Sequence, residues 1–121
     1  MKILIVDDSK AMRMIVARAL KQANLPPYSV VEAANGLEAL SVIESEAPDV
    51  VFSDWNMPEM SGIELLKKLR ESKNMTPFGF VTSESSAEVR QEALDSGARF
   101  VINKPFSPEN FAAALNQAIT F

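Results

Sequence analysis

"KILIVDDSKAMR", Lys2 to Arg13, packs a strand, an acidic turn and the start of a helix into twelve residues. Ile3 to Val6 form an unbroken apolar run of the kind found in strands buried on both faces. The run ends at once in Asp7 and Asp8, and Ser9 follows in a position to cap a helix. From there Met12, Ile15, Val16, Ala19, Leu20 and Ala23 recur at helical spacing and make one apolar stripe. A buried strand thus runs through an acidic turn into an amphipathic helix. The two adjacent acids need an explanation. At about 4 Å and an effective dielectric near 20, such charges repel by roughly 4 kcal/mol, so something positive belongs beside them.

The same alternation continues along the chain. "YSVVEA" reads as a second strand, and "NGLEALSVIES" as a second helix with Leu37, Leu40 and Ile43 inward. "DVVFS" is a third buried strand, followed by "SGIELLKKLRES", a helix with Ile63, Leu66 and Leu69 inward. "FGFVT" is the fourth strand. Ser85 and Glu88 have capping-box spacing for a fourth helix that Gly97 can end. That helix is weakly amphipathic, so it is expected to be the most mobile. "RFVIN" is the fifth strand, and Ser107-Pro108 opens a last helix with Phe111, Leu115 and Ile119 inward. Five strands alternating with five helices give an α/β fold, a doubly wound parallel sheet covered on both faces. One domain spanning residues 1–121 is expected.

Composition narrows the chemistry. The net charge of −4 argues against a sequence-independent nucleic-acid surface. No cysteine means no disulfide and no thiolate ligand or nucleophile. No histidine removes a Ser-His triad and the usual zinc ligands. Apolar runs are too short to span a bilayer, and no signal peptide is visible, so a cytoplasmic protein without membrane contact is expected. Carboxylates, hydroxyls and lysine remain.

In a doubly wound sheet the ligand site lies beyond the carboxyl ends of the strands. Asp7-Asp8 stand at the end of strand one, Asp54 at strand three, Thr82 at strand four, and strand five runs into Lys104. Each alone is an ordinary turn, strand-end or surface residue. Together they look like a divalent-cation and phosphoryl site. Asp7, Asp8 and Asp54 concentrate charge that Mg²⁺ can neutralise while retaining waters and accepting a phosphoryl oxygen. One carboxylate can also act as a nucleophile and form an aspartyl phosphate. Asp54 is the candidate, standing alone before "WNMP". Lys104 would neutralise the transferring group, and Thr82 could donate its hydroxyl to a phosphoryl oxygen.

With "VDDS", "SDWNMPEMSG", "VTSES" and "INKPF" in order, the chain resembles a response-regulator receiver domain of the CheY-like family over essentially its full length. The resemblance implies a flavodoxin-like strand order of 2-1-3-4-5 and a phosphoacceptor signalling protein of a two-component system. It implies a switch that assists its own phosphorylation and dephosphorylation, rather than a conventional enzyme. It places the phosphoacceptor at Asp54, the metal-binding acids at Asp7 and Asp8, and a direct ligand at Asp8. The Asn56 backbone carbonyl becomes a further ligand, Thr82 the switch hydroxyl and Lys104 the invariant lysine. Lys104-Pro105 is implied to be cis, and Asn56 and Glu84 to modulate dephosphorylation. One position departs. The family often has an aromatic three residues before the lysine, where Val101 stands here, and neighbouring Phe100 faces the other side of its strand. A shift of the loop around Thr82 and Ser83 is then the available switch.

The implied partners are a histidine kinase or phosphotransfer protein and a downstream protein bound on the face of the fourth helix, fifth strand and last helix. Exposed Met14, off the first helix's stripe, is a candidate contact for the phosphodonor. Chemotaxis-type output and a phosphorelay both fit, as does a monomer or a phosphorylation-linked dimer. The chain ends at Phe121, which reads as a stand-alone receiver or a piece of a larger regulator. A haloacid-dehalogenase phosphatase would want a second acid where Asn56 stands. A flavin binder would want a phosphate-cradling first loop, where "VDDSKAM" puts two repelling acids. A nucleotide-binding P-loop would want clustered glycines.

Overall fold

The structure is a computed structural model and describes residues 1–119; Thr120 and Phe121 lie outside the described residues. The elements in chain order are β1 (Lys2–Val6), α1 (Lys10–Gln22), β2 (Ser29–Ala33), α2 (Gly36–Glu46) and β3 (Val50–Ser53). They continue with α3 (Gly62–Glu71), β4 (Phe78–Thr82), α4 (Ala87–Asp95), β5 (Phe100–Asn103) and α5 (Pro108–Ala118). The strands form one sheet in the order β2-β1-β3-β4-β5, and every neighbouring pair is parallel. The order reverses between β1 and β3, which is where a doubly wound sheet opens a crevice.

Strand alternation divides the core between two layers. Ile3 and Ile5 of β1 face the side of Val16, Leu20, Phe111 and Leu115, where α1 and α5 lie. Leu4 and Val6 face the side of Ile43, Leu65, Leu66 and Ala93, contributed by α2, α3 and α4. Phe52 of β3 meets Phe100 and Phe111 at centroid distances of 5.0 and 5.4 Å, which locks the centre of the sheet to α5. Gly79 sits where any Cβ would enter the Phe100 ring, so the small residue makes room for that cluster.

Local signals set the element ends. The Ser9 hydroxyl accepts from the Met12 N–H at 3.2 Å, and Ser61 and Glu64 form a reciprocal capping box on α3. The cap of α4 is Ser86 and not Ser85, because the Ser86 hydroxyl accepts from the Val89 N–H at 3.2 Å. Gly97, at φ +103°, ends α4 with bonds from its N–H to Leu94 and from the Ala98 N–H to Ala93, a Schellman closure.

Three inward assignments need correction. Leu37 is 55% exposed, because Gly36, Ala39 and Ile43 form the buried stripe of α2. Ile15 is 48% exposed and lines a groove with Met12, Pro105 and Phe106 beside α1, while Val16, Ala19 and Leu20 fill the core. β2 is an edge strand with Ser29 and Glu32 exposed, so it is not buried on both faces. Only Ala93 of α4 is buried, in keeping with its weak apolar stripe.

Candidate functional site

The parallel register delivers the acids to one edge. The Asp7 N–H donates to Ala33 and the Asp54 N–H to Val6, so each residue is held as an extension of the ladder just past its strand. Asp7 is buried, Asp54 half-buried and Asp8 exposed. One carboxylate oxygen from each lies within 4.8 Å of the others. Lys104 enters from the end of β5, where its N–H donates to the Thr82 carbonyl at 2.9 Å. Its ammonium stands 3.8 Å from Asp54 Oδ1 and 3.9 Å from Asp7 Oδ2. The Lys104-Pro105 bond is cis.

Each carboxylate is also anchored by the backbone. Asp7 Oδ1 accepts from the Ser9 N–H at 2.9 Å, and Asp54 Oδ1 from the Trp55 N–H at 2.8 Å. Arg13 braces the first acid from behind: its Nη1 donates to the Asp7 carbonyl at 2.7 Å while its Nε pairs with Glu32 at 2.9 Å. Gly62 lets α3 start against the Asp54 carbonyl, where any Cβ would collide with that oxygen. The Trp55 ring packs on Phe80 at 4.8 Å. Arg13 and Gly62 carry no sequence signal of this role, since their partners are fixed only by the tertiary arrangement.

Three carboxylates meet one ammonium, so a formal charge of −3 + 1 = −2 is left at this edge. Burial, more than this deficit, shifts the two inner acids. Burial raises the Asp7 carboxyl above the ordinary 3.8, helped by Asp54 and opposed by the Ser9 N–H and Lys104. Burial likewise raises Asp54, opposed by Lys104 and the Trp55 N–H. A raised folded-state value means the folded chain binds more protons than the unfolded one between 3.8 and that value. Stability from these groups therefore falls as pH rises through that window, and above it both acids destabilise the metal-free fold. The capping carboxylate Glu64, lowered by its Ser61 bonds, works in the opposite direction. Comparing the parent with Asp54→Asn isolates the site. The melting temperature of the variant should rise relative to the parent as pH increases above 3.8 in chelator. A constant difference would contradict the burial of charge. An all-oxygen, undercompensated donor set of this kind suits a hard divalent cation.

Thr82 is buried at the end of β4, and its Oγ1 accepts from the Glu84 N–H at 3.1 Å. Asn56 and Glu84 are exposed and face each other across the mouth, with Asn56 Nδ2 donating to Glu84 Oε1 at 3.2 Å. Val101 packs partly exposed toward the α4 side, and Phe100 is buried on the α5 side. The two lie on opposite faces, and Phe100 does not reach the place an aromatic at 101 would take.

The chain is similar to known proteins along nearly its whole length. The family model for the response regulator receiver domain matches residues 3–116. The chain is a response-regulator receiver domain. A chemotaxis protein CheY homolog of Campylobacter jejuni is 41% identical over 112 residues, covering 90% of the receiver and 85% of the relative. Chemotaxis protein CheY1 of Helicobacter pylori is 38% identical over 112 residues, covering 90% and 89%. Among solved structures, chemotaxis response regulator CheY4 of Vibrio cholerae superposes with a TM-score of 0.83 at 38% identity, covering 98% of both chains. The receiver is therefore of the CheY type, a signalling switch of two-component systems with the flavodoxin-like order 2-1-3-4-5. None of its helices among the described residues is long and apolar enough to cross a membrane.

Proposed function

We propose that the receiver accepts a phosphoryl group on Asp54 from a phosphohistidine of a histidine kinase or phosphotransfer protein in the cytoplasm. One observation carries this reading: three carboxylate oxygens lie within 4.8 Å of one another, with a single ammonium 3.8 Å from the Asp54 oxygen. An Asp54 oxygen attacks phosphorus and the P–N bond breaks. Its electron pair returns to the imidazole nitrogen, which takes up a proton. Lys104 neutralises charge on the transferring group, and the Trp55 N–H holds the Asp54 carboxylate in line. Asp7, Asp8, Asp54 and the Asn56 carbonyl would hold Mg²⁺, which when bound supplies the missing positive charge. The same groups assist hydrolysis of the aspartyl phosphate, tuned by Asn56 and Glu84 at the mouth.

The phosphoryl oxygens recruit the Thr82 hydroxyl, and the loop after β4 follows it. With Val101 in place of an aromatic, this loop movement is the switch that reaches α4. The downstream partner binds on the face of α4, β5 and α5, and the relatives' chemotaxis names favour an output of that type. The phosphodonor docks beside the site, on Met14 and the groove lined by Met12, Ile15, Pro105 and Phe106.

Trp55, the single tryptophan, adjoins Asp54 and reports on the pocket. Millimolar Mg²⁺ should quench its fluorescence, and Asp8→Asn should weaken the apparent affinity about tenfold or more through loss of a charged ligand. An emission spectrum indifferent to Mg²⁺ would remove the metal from the reading.

A further inference from the structure

Three hydrogen bonds, with Thr82 at the end of β4, Asn103 at the end of β5 and Asn56 in the loop after β3, converge on Glu84. Its N–H donates to Thr82 Oγ1 at 3.1 Å, its carboxylate accepts from Asn56 at 3.2 Å, and its carbonyl accepts from Asn103 Nδ2 at 2.8 Å. The Asn103 bond is the shortest of the three and spans from the last residue of β5 to the β4–α4 loop. It is made by the residue immediately before Lys104, whose own N–H donates to the Thr82 carbonyl. The Glu84 peptide is thus gripped on its oxygen by β5 while its N–H holds the Thr82 hydroxyl.

We propose that Asn103 is a positioning residue that keeps Thr82 withdrawn until phosphorylation. This rests on the reading above, in which Thr82 turns to the phosphoryl group. Thr82 is wholly buried and its hydroxyl is tied to the Glu84 N–H, so a hydroxyl that turns to a phosphoryl group and keeps this bond draws the exposed loop at 83–86 with it. Leaving the withdrawn state costs the Asn103–Glu84 bond. Asn103 is exposed, and its amide has no packing role to confuse with this one. A two-state equilibrium shifts by the differential interaction each state makes, and one hydrogen bond made only in the withdrawn state shifts it by about two- to twelvefold.

The test uses Asn103→Ala and Asn103→Leu, both lacking the donor at a solvent-facing position. Two readouts are taken on the unphosphorylated protein: the Thr82 methyl resonance and hydrogen exchange of the Glu84 amide. Both variants should exchange the Glu84 amide several-fold faster than the parent. They should move the Thr82 methyl signal toward the position it takes in the parent with Mg²⁺ and acetyl phosphate, with amides of the core unchanged. Phosphorylation by acetyl phosphate should be about threefold faster. An unmoved Thr82 signal with parent-like Glu84 exchange would overturn the proposal, as would changes spread through the core. If the parent takes no phosphoryl group, the reading of Asp54 fails. The exchange of Glu84 then still decides whether Asn103 holds the loop.

Discussion

Asp54→Asn should lose phosphoryl acceptance entirely and, in chelator, melt several degrees above the parent. The two halves have one cause. Asp54 is a half-buried carboxylate beside Asp7 and Asp8, and burial is the largest influence on its titration. Lys104 offsets this only partly from 3.8 Å. Asparagine keeps an oxygen for the Trp55 N–H bond and removes the charge. Relief of about 1 kcal/mol corresponds to roughly 4 °C for a chain of this size. Thermal melts of both proteins in chelator check it, and a lower melting temperature for the variant would mean that Lys104 overcompensates the acids. Millimolar Mg²⁺ should stabilise the parent more than the variant and narrow the gap. The site is held at a cost in stability, as functional sites commonly are.

Lys104→Met should have the opposite effect on stability and a severe effect on phosphorylation. Methionine matches the lysine stem in length but withdraws the only cation within 4 Å of the Asp7 and Asp54 carboxylates among the described residues. Leaving a buried charge unpaired costs 3–5 kcal/mol in dry interiors. Lys104 is about a fifth exposed and the pocket opens to water, so about 1–2 kcal/mol is expected here. Phosphorylation by a small phosphodonor should slow about 100-fold, the usual loss when one charge-stabilising donor is removed. The melting loss should shrink in the Asp54→Asn background, since the two residues share one interaction. An additive double variant would show that the ammonium acts elsewhere.

Much of this fold was legible because the strands carry unbroken apolar runs. Ile3–Val6, Val50–Ser53 and Phe78–Thr82 are each buried along nearly their whole length. The convergence of Asp7, Asp8, Asp54 and Lys104 is legible too, because parallel strands put their carboxyl ends on one edge. The strand order was not, since periodicity says nothing about which strand neighbours which; it came from resemblance. Errors arose where two choices satisfied the same local rule. Ser85 and Ser86 are both competent caps, and only the bond to Val89 distinguishes them. Leu37 looked inward by type, yet the small residues Gly36 and Ala39 let α2 pack closely and left Leu37 outside. Arg13, Gly62 and Asn103 carry no local signal, because their partners lie 6, 8 and 19 positions away or more, across loops that no pattern reads.

Asp54 as phosphoacceptor of a pocket that needs a divalent cation is checked by peptide mapping with mass spectrometry, after incubation with acetyl phosphate in Mg²⁺ or in chelator. One added phosphoryl group is expected, confined to the peptide bearing Asp54, formed with Mg²⁺ and absent both in chelator and in Asp54→Asn. A phosphoryl group on another residue, or equal labelling of Asp54 in chelator, would contradict it.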